Sequence, residues 1–320
     1  MRTILILVFT VNYLVSSAQV SNMHFFKNDS LFIMKKQPEK GFYHDYILFI
    51  PKEIPINKKT YLLVEPNNTG RTSDSVEVHK RFAIDLASVS SVGNNVSTML
   101  KIPLLVPVFP RPSTQGLIYT HALDRDVMLE ASQELNRLDL QLLAMIDDAK
   151  QELKALGIQV HSKVFMSGFS ASATFINRFS FIHPKILKAL AIGGFNGELM
   201  LPLSEINAVA LNYPIGINDF NKLFNKQFDI NSYRQIPQFI YMGKLDQNDA
   251  VQFDDAYNDN ERQIINTHVG LNIQERYLKC QTLYQRKNIF PIFKTYEKVG
   301  HWTTADINFE VIRFFFDQMK

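Results

Sequence analysis

Short apolar runs alternate with amphipathic stretches along most of the chain. "DYILFIP" (45–51), "TYLLVEP" (60–66) and "IPLLVPVFP" (102–110) read as strands, with a helical stretch at about 76–90 before the third. Leu135, Leu138, Leu142, Met145, Ala149, Leu153 and Leu156 then recur at three- and four-residue steps. That spacing predicts one helix with a single buried face, and Gly157 is placed to end it. Further on, "KVFMSGF" (163–169), "ALAIGG" (189–194), "PQFIYMG" (237–243) and "IFKTYEKVG" (292–300) read as strands. Helices are expected at about 170–182, stopped by His183-Pro184, and over "INFEVIRFFFDQM" near the end. Strands alternating with helices in this way predict an α/β domain built on a mainly parallel sheet. The segment 197–235 breaks the alternation and is rich in Asn, Phe and Tyr, so it is expected to cap a site or to form a long surface excursion.

The first residues carry a different pattern. One Arg2 precedes an apolar run from Ile4 to about Val15, and Ser16-Ser17-Ala18 follows. That is the layout of a signal peptide, residues 1–18, cut before Gln19; the run is too short for a membrane span. The expected product is an exported protein, periplasmic or secreted, with no stable membrane insertion and one domain over 19–320. The 320 residues are 46% hydrophobic, enough for a large core without staples, and the single Cys280 allows no internal disulfide. Basic and acidic residues nearly cancel, 34 against 31, with no dense basic block, which argues against nucleic acid as a partner. No metal-ligand spacing such as H-E-x-x-H occurs, so no metal is expected.

The chemistry centres on Gly168-Phe169-Ser170, at the end of a predicted buried strand. A sharp strand-to-helix turn there would lift the Ser170 hydroxyl above the sheet edge, provided that its neighbours are small. Gly168 meets that need. Position 172, where G-x-S-x-G has its second glycine, is Ser172, flanked by Ala171 and Ala173. On the tripeptide alone, Ser170 reads better as a helix N-cap. Later residues shift the balance. Asp246 stands three residues beyond the strand-ending Gly243, with Asp249 as the alternative acid, and His301 follows a glycine after the last predicted strand. Nucleophile, acid and base thus come in the order that strand-end triads require. An oxyanion needs donors: the amide of Ala171 is one candidate, and Asn67 or Asn68 in "PNNTG" the other, through backbone or side chain. The loop 109–126 holds Arg111, Tyr119, His121, Asp124 and Arg125, which could shape a pocket but are better read as pairing with each other in a clasp. Trp302, beside His301, is expected in the core or, failing that, lining the pocket.

Around "MSGFSASATFINRFSFIHPKILKALAIGG", "MGKLDQNDAV" and "VGHW" the sequence resembles the α/β-hydrolase fold serine hydrolases. It is most similar to exported esterases of the poly(3-hydroxybutyrate) depolymerase and feruloyl esterase type. The resemblance implies an α/β-hydrolase fold: a mostly parallel eight-stranded sheet with helices on both faces. It implies cofactor-independent hydrolysis of a small-molecule or polymer ester through an acyl-enzyme, with Ser170, Asp246 and His301 as nucleophile, acid and base and Ala171 as an oxyanion donor. Ser172 and "PNNTG" depart from the pattern. Two functions follow: an exported serine esterase, whose triad would serve peptide or amide bonds equally, or a glycan- or polymer-binding protein on a degenerate hydrolase fold.

Overall fold

The computed structural model describes residues 20–320 except 27, 28, 56, 57, 69, 90 and 196, with backbone only at 20–26. The expected signal peptide lies outside the described residues. One sheet organises the chain. Its strands are β1 (Val20–Phe26), β2 (Asp29–Met34), β3 (Tyr46–Ile50), β4 (Leu63–Val64), β5 (Leu104–Pro107), β6 (Val164–Phe169) and β7 (Leu187–Gly193). A small separate hairpin, β8 (Glu205–Ile206) and β9 (Val209–Ala210), intervenes before β10 (Gln238–Gly243) and β11 (Ile292–Tyr296) rejoin the sheet. The order is β1-β2-β3-β5-β4-β6-β7-β10-β11. From β5 to β11 every pairing is parallel, whereas β1, β2 and β3 run antiparallel at one edge. Strands β2–β7, β10 and β11 make up the expected eight, and β1 extends the antiparallel edge to nine.

The pleat sorts each strand's side chains between two cores. Tyr46, Leu48 and Ile50 of β3 and Val164 and Met166 of β6 join one core, packed by the helices Leu138–Ala155, Ala171–Ile182 and Ile273–Arg286. Ile47 and Phe49 of β3 and Phe165 of β6 join the other, under the helices Val76–Ser88, Val92–Leu100 and Ala305–Gln318. Burial on both faces explains why these strands read as continuous apolar runs and not as alternations. The predicted helix of the leucine repeat starts later than the pattern suggests. Leu135 precedes it and is buried in the loop, and Leu156 is its exposed C-cap. The helices Val92–Leu100, Asp259–His268 and Ile273–Arg286 are additions to the expected elements.

The segment 197–235 holds the β8–β9 hairpin and the short helices Phe220–Phe224 and Ile230–Arg234. Its aromatic residues pack inward: Phe220 against Phe224 and Phe228, and Tyr233 against Phe181. Among the described residues no helix is long and apolar enough to cross a membrane.

Candidate active site

Strand order reverses around β4, whose neighbours β5 and β6 are reached by crossovers in opposite directions. A crevice is expected beyond the carboxyl ends of the strands at such a point. The sequence-predicted residues meet there: Ser170 follows β6, Asn67 and Asn68 follow β4, Asp246 follows β10 and His301 follows β11.

Ser170 sits between β6 and the helix Ala171–Ile182 with φ 63° and ψ −130°, a conformation that L residues rarely adopt. The turn is held on both sides. The Ser170 amide donates to the Gly193 carbonyl at 3.0 Å, and the Ser170 carbonyl accepts from Ala173 N at 3.0 Å. Its side chain makes no capping bond, so the N-cap reading of the hydroxyl does not hold. Gly168 is needed for closeness: a Cβ there would lie 2.7 Å from Ile176 Cδ1 and 2.9 Å from the Ser172 backbone. Ser172 is buried and its hydroxyl turns back on the strand end, accepting from Phe169 N at 2.9 Å and donating to Phe169 O at 2.8 Å. The hydroxymethyl group that replaces the second glycine therefore ties the turn together without occupying the space in front of Ser170.

His301 places Nε2 at 3.0 Å from Ser170 Oγ, and its Nδ1 at 3.0 and 2.9 Å from the two Asp246 carboxyl oxygens. A carboxylate facing Nδ1 keeps the proton on that nitrogen, leaving Nε2 as the acceptor for the serine hydroxyl. Asp246 is 1% exposed, and it also accepts from Asn248 N at 2.9 Å. Gln274, from a helix that the hydropathy pattern missed, donates to the Asp246 carbonyl at 2.6 Å and so steadies the turn. Asn248 Nδ2 lies 3.2 Å from His301 Nε2, slightly farther than the serine. Asp249 is engaged elsewhere: it caps a short 3-10 turn through Val251 N and forms an ion pair with buried Arg276 at 2.5 Å. Of the two candidate acids, only Asp246 meets the histidine.

The two asparagines part company. The Asn67 side chain is buried and pairs with Phe109, donating to its carbonyl at 2.8 Å and accepting from its amide at 3.1 Å. That leaves its backbone amide as the only donor Asn67 could turn to the site. Asn68 lines a 260 Å³ cavity together with Ser170, Arg111, Tyr119, Asn248 and Asp255. Its Nδ2 lies 3.4 Å from the Phe169 carbonyl, beside the serine. Ala171 opens its helix, where the first amides have no carbonyl within the helix to bond.

Arg111 is in the cavity, and the loop 109–126 is only in part the expected clasp: Asp124 accepts from Tyr119 N at 2.7 Å and Thr120 Oγ1 donates to the Pro110 carbonyl at 2.6 Å, but its arginines pair with acids outside the loop. Arg111 pairs with Asp255, and its guanidinium stacks over Tyr119 at 3.8 Å. Arg125 reaches Asp219 at 2.7 Å and the Tyr213 carbonyl at 2.7 Å. Asp124 caps the helix Arg125–Leu129, accepting from Val127 N, and burial pushes its carboxyl up to about 7 against the pull of that bond and of the one from Tyr119 N. The loop is tied to other segments because its charged ends reach past its own short span. His121 is no rival base: its ring is buried against the Phe109 carbonyl, and burial pushes it down to about 3. Trp302 corrects the expectation of a core residue. It is 56% exposed, its ring lies against Gly300, and it is not among the residues lining the cavity. The hydropathy pattern gave no sign of Glu65. This carboxyl at the end of β4 is 3% exposed, accepts from Ser91 Oγ at 2.6 Å and Gly93 N at 3.1 Å, and is raised to about 7 by burial.

No protein-family model matches the chain, and no curated protein matches it. Solved structures do. An S-formylglutathione hydrolase from Agrobacterium tumefaciens superposes with a TM-score of 0.53 at 10% identity, covering 94% of this chain and 98% of its own. LpqC, a poly(3-hydroxybutyrate) depolymerase from Bordetella parapertussis, gives 0.53 at 13% identity over 92% and 90% of the two chains. FphF, a fluorophosphonate-binding serine hydrolase from Staphylococcus aureus, gives 0.50 at 11% identity over 91% and 98%. The chain has the α/β-hydrolase fold, with a mostly parallel sheet and helices on both faces. At these identities the likeness speaks for fold alone.

Proposed function

We propose that the protein is a serine hydrolase that cleaves carboxylic esters through an acyl-enzyme. The observation that carries this reading is the continuous hydrogen-bonded chain from Ser170 Oγ through the His301 ring to buried Asp246. In the first step His301 Nε2 takes the Ser170 proton as Oγ attacks the ester carbonyl. The imidazolium, stabilised by Asp246, then gives that proton to the departing alcohol. Water, deprotonated by the same nitrogen, attacks the acyl-enzyme and releases the acid. The Ala171 amide and Asn68 are the donors for the oxyanion in each tetrahedral intermediate. The 260 Å³ cavity favours short acyl groups, since drug-sized ligands occupy larger ones. The solved relatives named above, whose printed names are those of hydrolases and a depolymerase, support an ester or thioester substrate. We further propose one hydrolase domain over 19–320 and export after removal of residues 1–18, supported by the amino-terminal pattern.

Labelling with a fluorophosphonate, followed by mapping of the adduct, tests the reading. An adduct on Ser170, absent from His301→Ala, is expected. A folded protein that takes no adduct and hydrolyses none of a panel of short, long and aromatic nitrophenyl esters would return the chain to the binding-protein alternative.

A further inference from the structure

The cavity beside Ser170 holds a cation that the reaction scheme does not use. Arg111 is 8% exposed, and its position is set from several directions. Its carbonyl accepts from Ser73 N at 2.8 Å, and its guanidinium lies over the Tyr119 ring at 3.8 Å. Only one arm of the guanidinium is engaged: Nη2 donates to Asp255, while Nε is buried without a partner and Nη1 makes no hydrogen bond among the described residues. A guanidinium presents five N–H donors in a fixed plane and matches a carboxylate best with two of them. Here one carboxylate meets one arm. Asp255, moreover, is less buried than the arginine it serves, with side-chain exposures of 22% and 10%. Among the described residues that line the cavity, Arg111 is also the only basic one.

We propose that the substrate is a short ester carrying a carboxylate, and that Arg111 receives this carboxylate in partial exchange for Asp255. The inference rests on the serine hydrolase reading and names its substrate class. Arg111, stacked and pinned through its backbone, supplies a preorganised charge. Asp255 holds that charge neutral while the cavity is empty and competes with the incoming anion. A purely structural ion pair behaves differently: removing either partner damages the same wall, so both variants shift activity in one direction. For an anion-recognition site the two variants move in opposite directions.

The test compares 4-nitrophenyl hemiglutarate with uncharged 4-nitrophenyl valerate, and 4-acetoxybenzoate with phenyl acetate, so that the charge lies in either half of the ester. The readout is the ratio of kcat/KM for charged over neutral ester. Wild type is expected to favour the charged member of at least one pair. Arg111→Met is expected to lower that ratio about tenfold or more, as loss of a charge-assisted contact implies. Asp255→Asn is expected to raise it, and added salt to reduce it in wild type. Ratios that do not change, or that fall in both variants, overturn the proposal while ester hydrolysis stands. Binding of monomethyl glutarate to Ser170→Ala, followed by calorimetry, needs no turnover. Binding weakened tenfold by Arg111→Met in a protein that hydrolyses no ester would keep the anion site and remove the hydrolase reading.

Discussion

Two adjacent strands end in the same kind of turn and solve it with different residues. Beyond β6 the chain turns at Ser170, with φ 63°; beyond β7 it turns at Gly194, with φ 51°. Both amides are held by the neighbouring strand, Ser170 N on Gly193 O at 3.0 Å and Gly194 N on Tyr241 O at 3.1 Å. At Gly194 the missing side chain makes room, because a Cβ would lie 2.5 Å from the Phe169 ring. That ring in turn packs 4.9 Å from the His301 imidazole. At Ser170 the chain keeps a side chain in a backbone region that costs on the order of 1–3 kcal/mol. Strain is retained where the side chain reaches His301 and removed where only passage is needed. The lesson is that the glycine serves the position of the histidine, while the serine spends stability to place its own hydroxyl.

The strongest way to break this contrast is at Ser170 itself. Ser170→Ala is expected to lower kcat on a nitrophenyl ester by about 10⁴-fold or more, as loss of a triad nucleophile does. Ser170→Gly should be as inactive yet more stable than wild type by about 1 kcal/mol in denaturant unfolding, because glycine carries no penalty at positive φ. A loss of stability in that variant would contradict the strain argument. The opposite substitution, Gly194→Ala, should destabilise by about 3 kcal/mol, adding positive-φ strain to a clash with Phe169. It should also lower turnover, because Phe169 is displaced toward His301.

A third strand end sharpens the comparison through pH. At β4 the chain exits through Glu65, whose carboxyl is raised from 4.5 to about 7 by burial. Between those values the native state holds a proton that the unfolded chain has lost, so stability falls as pH rises through that window. Glu65→Gln lacks this dependence. The unfolding free energy of wild type relative to the variant should therefore grow as pH is lowered from 7 to 5, and a flat difference would refute it. The smallest effect is expected at Ser172. Ser172→Ala should cost about 1 kcal/mol for the lost bonds to Phe169 and leave ester turnover within a few-fold.

The fold was legible where strands are buried on both faces. "KVFMSGF", "ALAIGG" and "PQFIYMG" carry apolar runs that match β6, β7 and β10 to within two residues. The helices Asp259–His268 and Ile273–Arg286 were not: the first buries only Ile265, and the second, which buries Ile273, Tyr277, Cys280 and Tyr284 on one face, interrupts them with charged and polar residues. The helix Ile273–Arg286 nonetheless supplies Gln274 and Arg276, which hold the Asp246 turn and draw Asp249 away from His301. Trp302 was misread because hydrophobicity alone placed it, whereas its neighbour Gly300 lets the ring lie on the surface.

Local chemistry along the chain determined the alternation of elements and the order of Ser170, Asp246 and His301, because both follow from short-range pattern. It also determined that small residues flank Ser170, since backbones pass closely at a strand-to-helix turn. Whether these residues meet was decided only by the tertiary structure, which closes a separation of 131 positions between Ser170 and His301 to a 3.0 Å contact. The same holds for the choice of Asp246 over Asp249 and for the pairing of Arg111 with Asp255. Each depends on a partner from a distant segment, and no periodicity in the sequence encodes the distance between two strand ends.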